Sequence, residues 1–469
     1  MTFIQNLVKD SVVYGITKYL SVIAAIFLTP IYTRIIPRYE YGVMDIFNTW
    51  INFSILFIPL GLMEAMPRLW AEARKDNDLF RKMVGNQNSV LLLMALLFLL
   101  VSAGGMSFYE SEILNSSSYH SVFYLSVALV FAQVVNNQQL TFFRLELKRY
   151  HYLTLSVLQF IILSSLGFVL VYYFKLSIKG FFLAALAAAL SSAGVGLILN
   201  RPLLILRFNL PLVREMLGYS LPLLYVVMFF SISDIVDRYI LNKFLNTETV
   251  GLYSVAVRVA SIPLFFTSAF ATAWFPRIFA LDDLEEQKSA ISKSYSAAVA
   301  FFGLILVLVI AFRKELIYFF APDYQDAGIT LVLLAVSNTV NGLGPLYAFG
   351  IHLKKKSFDF LKAASISIPV NILLSLLLVS KFGAAGVAFG TLIGAIIWTF
   401  FRYYYGQKRL KCDLSHGPLL ITTIAVFTAF ALSFFLSLNP VNFILKILFS
   451  AYPLYLVLKF LLKSYRELD

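Results

Sequence analysis

The chain has 469 residues, 60% of them apolar and only 13% charged, and its mean hydropathy is +0.81. Water-soluble domains carry about 25% charged residues, so this composition excludes soluble and disordered classes and requires an integral membrane protein. The formal charge of +13 comes from 38 Lys and Arg against 25 Asp and Glu, and the placement of those bases decides its meaning.

Crossing a bilayer takes about 20 apolar residues. Runs of that kind fall at 11–33, 41–65, 84–104, 119–143, 152–174, 180–200, 217–241, 249–274, 294–312, 327–350, 361–380, 383–404, 418–437 and 441–461. The expectation is an all-α polytopic membrane protein with about 14 transmembrane helices. The first run lacks a small-residue cleavage site and is read as a retained helix rather than a signal peptide. With Lys362, Arg402 and Lys459, at span ends, counted with the connections or terminus beside them, 26 of the 38 bases lie in the terminal segments and even-numbered connections, 8 in the odd-numbered ones and 4 within spans. The positive-inside bias therefore predicts both termini in the cytosol and accounts for the net charge without nucleic acid. The longest outward connection is about 14 residues, at 105–118, too short to house a catalytic domain.

Chemistry-bearing motifs are few. Cys412 is the single cysteine, the four histidines are scattered, and no G-x-x-x-x-G-K-[ST] phosphate loop occurs. The expectation is a non-enzyme with no metal and no cofactor.

Shifting the chain by 209 residues brings Ser11 onto Ser220, Gly42 onto Gly251, and Met66-Pro67-Arg68-Leu69-Trp70-Ala71 onto Phe275-Pro276-Arg277-Ile278-Phe279-Ala280. An even number of spans per copy makes this a parallel repeat, an arrangement found in some transporters. The expected domains are a six-helix lobe at 1–210, a second at 211–410, and two additional helices at 411–469.

Three stretches carry a family resemblance: Lys9-Asp10-Ser11-Val12-Val13-Tyr14-Gly15, then Pro30-Ile31-Tyr32-Thr33-Arg34, then Tyr39-Glu40-Tyr41-Gly42-Val43. Together with Asp237-Arg238-Tyr239-Ile240-Leu241 and Val250-Gly251-Leu252-Tyr253, they resemble the bacterial polysaccharide, or O-antigen (Wzx-type), flippases. These belong to the multidrug/oligosaccharidyl-lipid/polysaccharide exporter superfamily. The resemblance implies translocation of a polyprenyl-diphosphate-linked oligosaccharide, such as an O-antigen repeat unit, from the cytosolic to the outer leaflet of the plasma (inner) membrane. Lobes alternating between inward-open and outward-open states would do this. Membrane lipids, a coupling proton or sodium ion, and polysaccharide polymerase machinery are expected as further partners. The alternatives are a cation-coupled multidrug exporter of the same superfamily and a non-transporting component of polysaccharide assembly.

Ionisable residues at membrane depth, each costing at least about 2.5–3.5 kcal/mol, give the candidate site. Lys18, Arg258 and Arg238 are the cationic candidates for a diphosphate; a lysine or arginine snorkelling to headgroups is the competing reading for Lys18 and the leading one for Arg238. Asp234 and Arg258 fall at nearly equal depth in adjacent spans, either as a structural clamp or as a coupling switch, with Asp237 beside them. Gln133, Asn136 and Asn137, in the run Gln133 to Gln139, are polar cavity candidates because so many amides are costly against lipid, with interhelical hydrogen bonding as the competing reading. Asn338 and Asn341 occupy a comparable place in span ten. Glu64, Arg68 and Arg277, at the inner ends of spans two and eight, are gate candidates, with a helical Glu64–Arg68 pair as the structural alternative.

Overall fold

The computed structural model describes residues 27–63, 65, 66, 70, 76–108, 119–279, 281, 283–354, 356, 358–414, 417–435 and 446. Lys18, Glu64 and Arg68 lie outside the described residues, as do most of the first and last expected spans. Among the described residues there is no strand, and seven helices are long and apolar enough to cross a membrane. The expected all-α polytopic class holds.

Two compact units form, Met1–Gly251 and Leu252–Asp469. In the first, α1 (Arg38–Phe57), α2 (Asn77–Phe108), α3 (His120–Leu145), α4 (Arg149–Phe168), α5 (Ser177–Leu199) and α6 (Leu210–Phe244) follow in order, and α7 (Thr247–Phe279) begins. The packing boundary therefore falls one span later than the repeat boundary at 210/211, because α6 packs against α1.

Local chemistry sets the helix ends. Asp76 Oδ1 accepts from the Asp78 and Leu79 amides ahead of α2, at 2.9 and 3.2 Å. Asn209 accepts from the Leu212 amide at 3.1 Å at the start of α6, with a proline in the first turn. Between α3 and α4, Leu147 takes φ 58°, which allows a tight reversal. Beyond α1 the backbone breaks where Leu60 and Gly61 have φ 51° and 74°, and Ser220 Oγ of α6 donates to the freed Leu60 carbonyl at 2.8 Å.

The α5 helix presents Ala184, Ala185, Ala188, Ala189, Ser192 and Gly196 as buried small residues, and packs on α3 and α4. Small residues let helix backbones approach closely in a bilayer, where van der Waals packing drives association.

A second close approach joins α1 to the start of α7. A Cβ on Gly42 would lie 2.0 Å from the Thr247 carbonyl oxygen, and one on Gly251 would lie 2.6 Å from the Arg38 carbonyl oxygen. Residues 38 and 42 become 247 and 251 under the 209-residue shift, so the contact is reciprocal: 42 meets 247 and 251 meets 38. Two copies of one motif meeting about a local two-fold make such contacts.

The second unit holds the rest of α7, then α8 (Leu284–Ala311), α9 (Arg313–Phe320), α10 (Gly328–Gly342), α11 (Gly344–Tyr347), α12 (Phe349–Leu353), α13 (Phe358–Arg409) and α14 (Gly417–Phe435). Expected spans eleven and twelve run together as α13, which reverses direction at Gly383 (φ 59°, ψ −138°), beside the expected connection at 381–382. Span ten is broken into α10, α11 and α12 around Gly344 and Pro345. Near α9, Lys446 Nζ donates to Glu315 Oε1 at 2.6 Å.

An amide-lined cavity and a buried ion pair in the first unit

The cavity begins with the side-chain spacing of three helices. On α1, Asn48, Asn52 and Ile55 share one face at intervals of four and three. On α3, Gln133, Asn137 and Leu140 do the same, and α4 adds Tyr152, Ser156 and Gln159. They enclose about 620 Å³, with no Asp, Glu, Lys or Arg in the lining. A smaller hollow of about 240 Å³ adjoins it, sharing Ile55, Leu56, Asn137, Leu140 and Tyr152, and adds Thr141, Arg144 and Gly61. Arg144 closes α3 at the end bearing the basic connection Arg144, Lys148 and Arg149.

The amide run of α3 divides by helical angle. Asn136 is fully buried: its Nδ2 donates to Gln159 Oε1 at 2.9 Å and its Oδ1 accepts from Ser192 Oγ at 2.6 Å. Gln138 donates to Asn88 Oδ1 at 2.6 Å, and Asn88 in turn donates to the Leu203 and Ile205 carbonyls, both at 2.8 Å. Gln139 accepts from Asn200 at 2.9 Å. These three amides hold helices together. Gln133 and Asn137 face the cavity instead, Gln133 accepting a long 3.4 Å bond from Gln159. The side chains of Asn48, Asn52 and Asn137 hydrogen-bond to none of the described residues.

A second polar group joins α1 and α6. Arg238 Nε donates to Asp45 Oδ2 at 3.1 Å, and its Nη1 lies 3.7 Å from Asp234 Oδ1. Arg238 is 9% exposed and Asp45 8%, so Arg238 is a buried ion-pair partner and does not reach for headgroups. The Asp234 side chain is 70% exposed, and Asp237 is buried. Asp45 went unread in the sequence although it lies within the expected span 41–65, between Met44 and Ile46; the rule that singled out Asp234 would have found it.

The remaining candidates belong to the second unit. Arg258, in the second unit, is half-buried, and its carbonyl accepts from Ser261 Oγ at 2.6 Å. Asn338 donates to the Ala260 carbonyl at 2.8 Å, tying α10 to α7. Arg277 is exposed near the end of α7. Asn341 offers its carbonyl to Arg402 Nη2 at 3.2 Å. Arg402, counted in the sequence with the connection charges, is 8% exposed and lies 4.9 Å over the Trp398 ring. It occupies the helix break of span ten, where a Cβ on Gly344 would meet its guanidinium. Trp398 one turn earlier was the available signal. Nearby, burial pushes the Cys412 thiol up from its ordinary range, which makes it a poor nucleophile at neutral pH. No cluster of metal-ligating side chains occurs among the described residues.

The described residues thus form a polytopic helical membrane protein with a neutral, amide-lined hollow and a buried ion pair in its first unit. The chain belongs to the "Polysaccharide biosynthesis protein" family, whose pattern matches residues 7–282. It is 24% identical over 198 residues to the "Probable low-salt glycan biosynthesis flippase Agl15" of Haloferax volcanii, covering 40% of this chain and 41% of that one. The "Probable flippase AglR" of the same organism is 26% identical over 166 residues, 34% of each chain. The matched regions thus span less than half the length of these curated relatives. Among solved structures, the lipid II flippase MurJ in an inward closed conformation superposes with a TM-score of 0.76 at 17% identity, covering 98% of this chain and 99% of that one. An inward-facing multidrug resistance MATE family transporter of the MOP superfamily gives 0.61 at 15% identity, covering 84% and 94%. The chain shares its fold with these two transporters.

Proposed function

We propose that the protein is a flippase that moves a polyprenyl-diphosphate-linked oligosaccharide, an O-antigen or other surface polysaccharide repeat unit, across the plasma (inner) membrane. The direction is cytosolic to outer leaflet, by alternating access, with both termini cytosolic. The observation that carries this reading is the cavity of about 620 Å³ whose polar lining is amide and hydroxyl alone, within a chain of the polysaccharide biosynthesis family. Amides donate and accept at once and so match sugar hydroxyls, which also do both. A cationic drug would call for carboxylates, which this lining lacks, and that disfavours the multidrug alternative.

The protein performs no covalent chemistry on this reading. Lys18 and Arg258 supply further cationic contacts to the diphosphate, and a coupling proton or sodium ion acts at the Asp234, Asp237 and Arg238 group. Glu64, Arg68 and Arg277 contribute to gating, and polysaccharide polymerase machinery receives the product. The test is reconstitution in liposomes with a fluorescent polyprenyl-diphosphate oligosaccharide. Wild type is expected to move the lipid between leaflets, and Lys18→Ala or Arg258→Ala to slow it at least about tenfold with an unchanged size-exclusion profile. Inertness across several glycans together with export of a cationic dye would replace this reading with the multidrug one.

A further inference from the structure

The two adjoining hollows differ in chemistry, and this difference assigns parts of a ligand. The larger holds Asn48, Asn52, Gln133 and Asn137 with no ionisable group except the phenol of Tyr152. Three of those amides have no hydrogen-bond partner among the described residues, so their donors and acceptors remain available. The smaller hollow has one charge, Arg144, with the Thr141 hydroxyl and Tyr152 beside it. No carboxylate pairs with Arg144 among the described residues: the nearby ion pair is between Lys148 and Glu146, at 2.7 Å. Tyr152 and Asn137 line both hollows, so one ligand can pass from one to the other without leaving the unit.

We infer that this intra-unit cavity is a two-part binding site, with the linking diphosphate at Arg144 and the first, uncharged sugars of the glycan among the amides. The inference rests on the flippase reading and adds a substrate class: neutral sugars next to the diphosphate. A guanidinium suits phosphate oxygens because it presents several donors in a plane. A sugar carboxylate in the larger hollow would lose its hydration and find no cation there, and burying an unpaired charge is costly. The neutral lining therefore discriminates against uronic acids at these positions. Arg144 stands at the basic end of α3, on the proposed orientation the side from which cargo enters.

The test measures binding to the full-length purified protein with three probes carrying the same short prenyl chain. One is a diphosphate-linked neutral disaccharide, one a prenyl-linked neutral disaccharide without phosphate, and one a diphosphate-linked disaccharide containing a uronic acid. Arg144→Ala is expected to weaken the first probe at least about tenfold and leave the second unchanged, with Arg144→Lys recovering part of the loss. Asn137→Leu is expected to weaken the first and second alike, and wild type to bind the uronic acid probe at least about tenfold more weakly than the first. Equal binding of neutral and acidic probes would overturn the inference, as would an Arg144→Ala that binds the first probe like wild type. If in either case wild type still translocates lipid-linked glycan in liposomes, the flippase reading stands and only the two-part site fails. If wild type binds none of the probes and translocates none, both fail.

Discussion

Arg238→Ala is expected to destabilise the protein by about 3–5 kcal/mol, the cost of leaving one member of a buried ion pair without its partner. Asp45 and Arg238 are 8% and 9% exposed, and their 3.1 Å contact joins α1 to α6. Removing the guanidinium leaves the Asp45 carboxylate buried without its Arg238 contact. The charge-neutral double substitution Asp45→Asn with Arg238→Gln removes both charges and keeps hydrogen-bonding groups, so it is expected to cost clearly less than Arg238→Ala alone. Asp234→Asn touches a carboxylate that lies 3.7 Å from Arg238 and is not enclosed with the Asp45 pair, so it is expected to cost clearly less than Arg238→Ala. Thermal unfolding in detergent ranks the three. A double variant no more stable than the single one would show that the pair is not what secures α1 against α6.

Gly42→Leu is expected to abolish the native fold. A Cβ there would lie 2.0 Å from the Thr247 carbonyl oxygen and 3.0 Å from its carbon, and both belong to backbone, so no rotamer change relieves the clash. Ordinary overpacking costs about 1–3 kcal/mol because side chains can shift; here α1 and α7 would have to separate. Gly251 faces the Arg38 carbonyl in the reciprocal position, and its replacement by Leu is expected to fail in the same way. Gly194 in α5 has open space where a Cβ would project, so Gly194→Ala serves as the tolerated control. Size-exclusion chromatography of the solubilised proteins reads the result. A monodisperse Gly42→Leu with wild-type melting would contradict the close crossing.

The helical class and most span positions could be read from the chain because lipid imposes one dominant rule, about 20 apolar residues per crossing, and charges punctuate it. The expected spans at 119–143 and 180–200 are matched by α3 and α5 within a few residues. Side-chain direction was less legible. Gln133 to Gln139 stood out as an expensive run, yet only helical phase separates Asn137, in the cavity, from Asn136, locked between Gln159 and Ser192, and phase acquires meaning only once the neighbouring helices are placed. Asn48 and Asn52 are common residues in an otherwise apolar span, and nothing local shows that they converge on α3. Asp45 was visible as a carboxylate at depth but unremarked; its partner on α6 is 193 positions away. Arg402 looked like a connection charge because it follows a long apolar run, whereas the break at Gly344 and Pro345 opens a place for it inside.

Photo-crosslinking tests most directly where the glycan sits. A polyprenyl-diphosphate oligosaccharide with a diazirine on its first sugar would be bound to the full-length wild-type protein, irradiated, and mapped by peptide mass spectrometry. The expected labels fall on the cavity-lining stretches of α1, α3 and α4, around Asn52, Asn137 and Tyr152, and are lost in Arg144→Ala. Labels confined to peptides outside these three helices, undiminished in Arg144→Ala, would contradict a glycan site within the first unit.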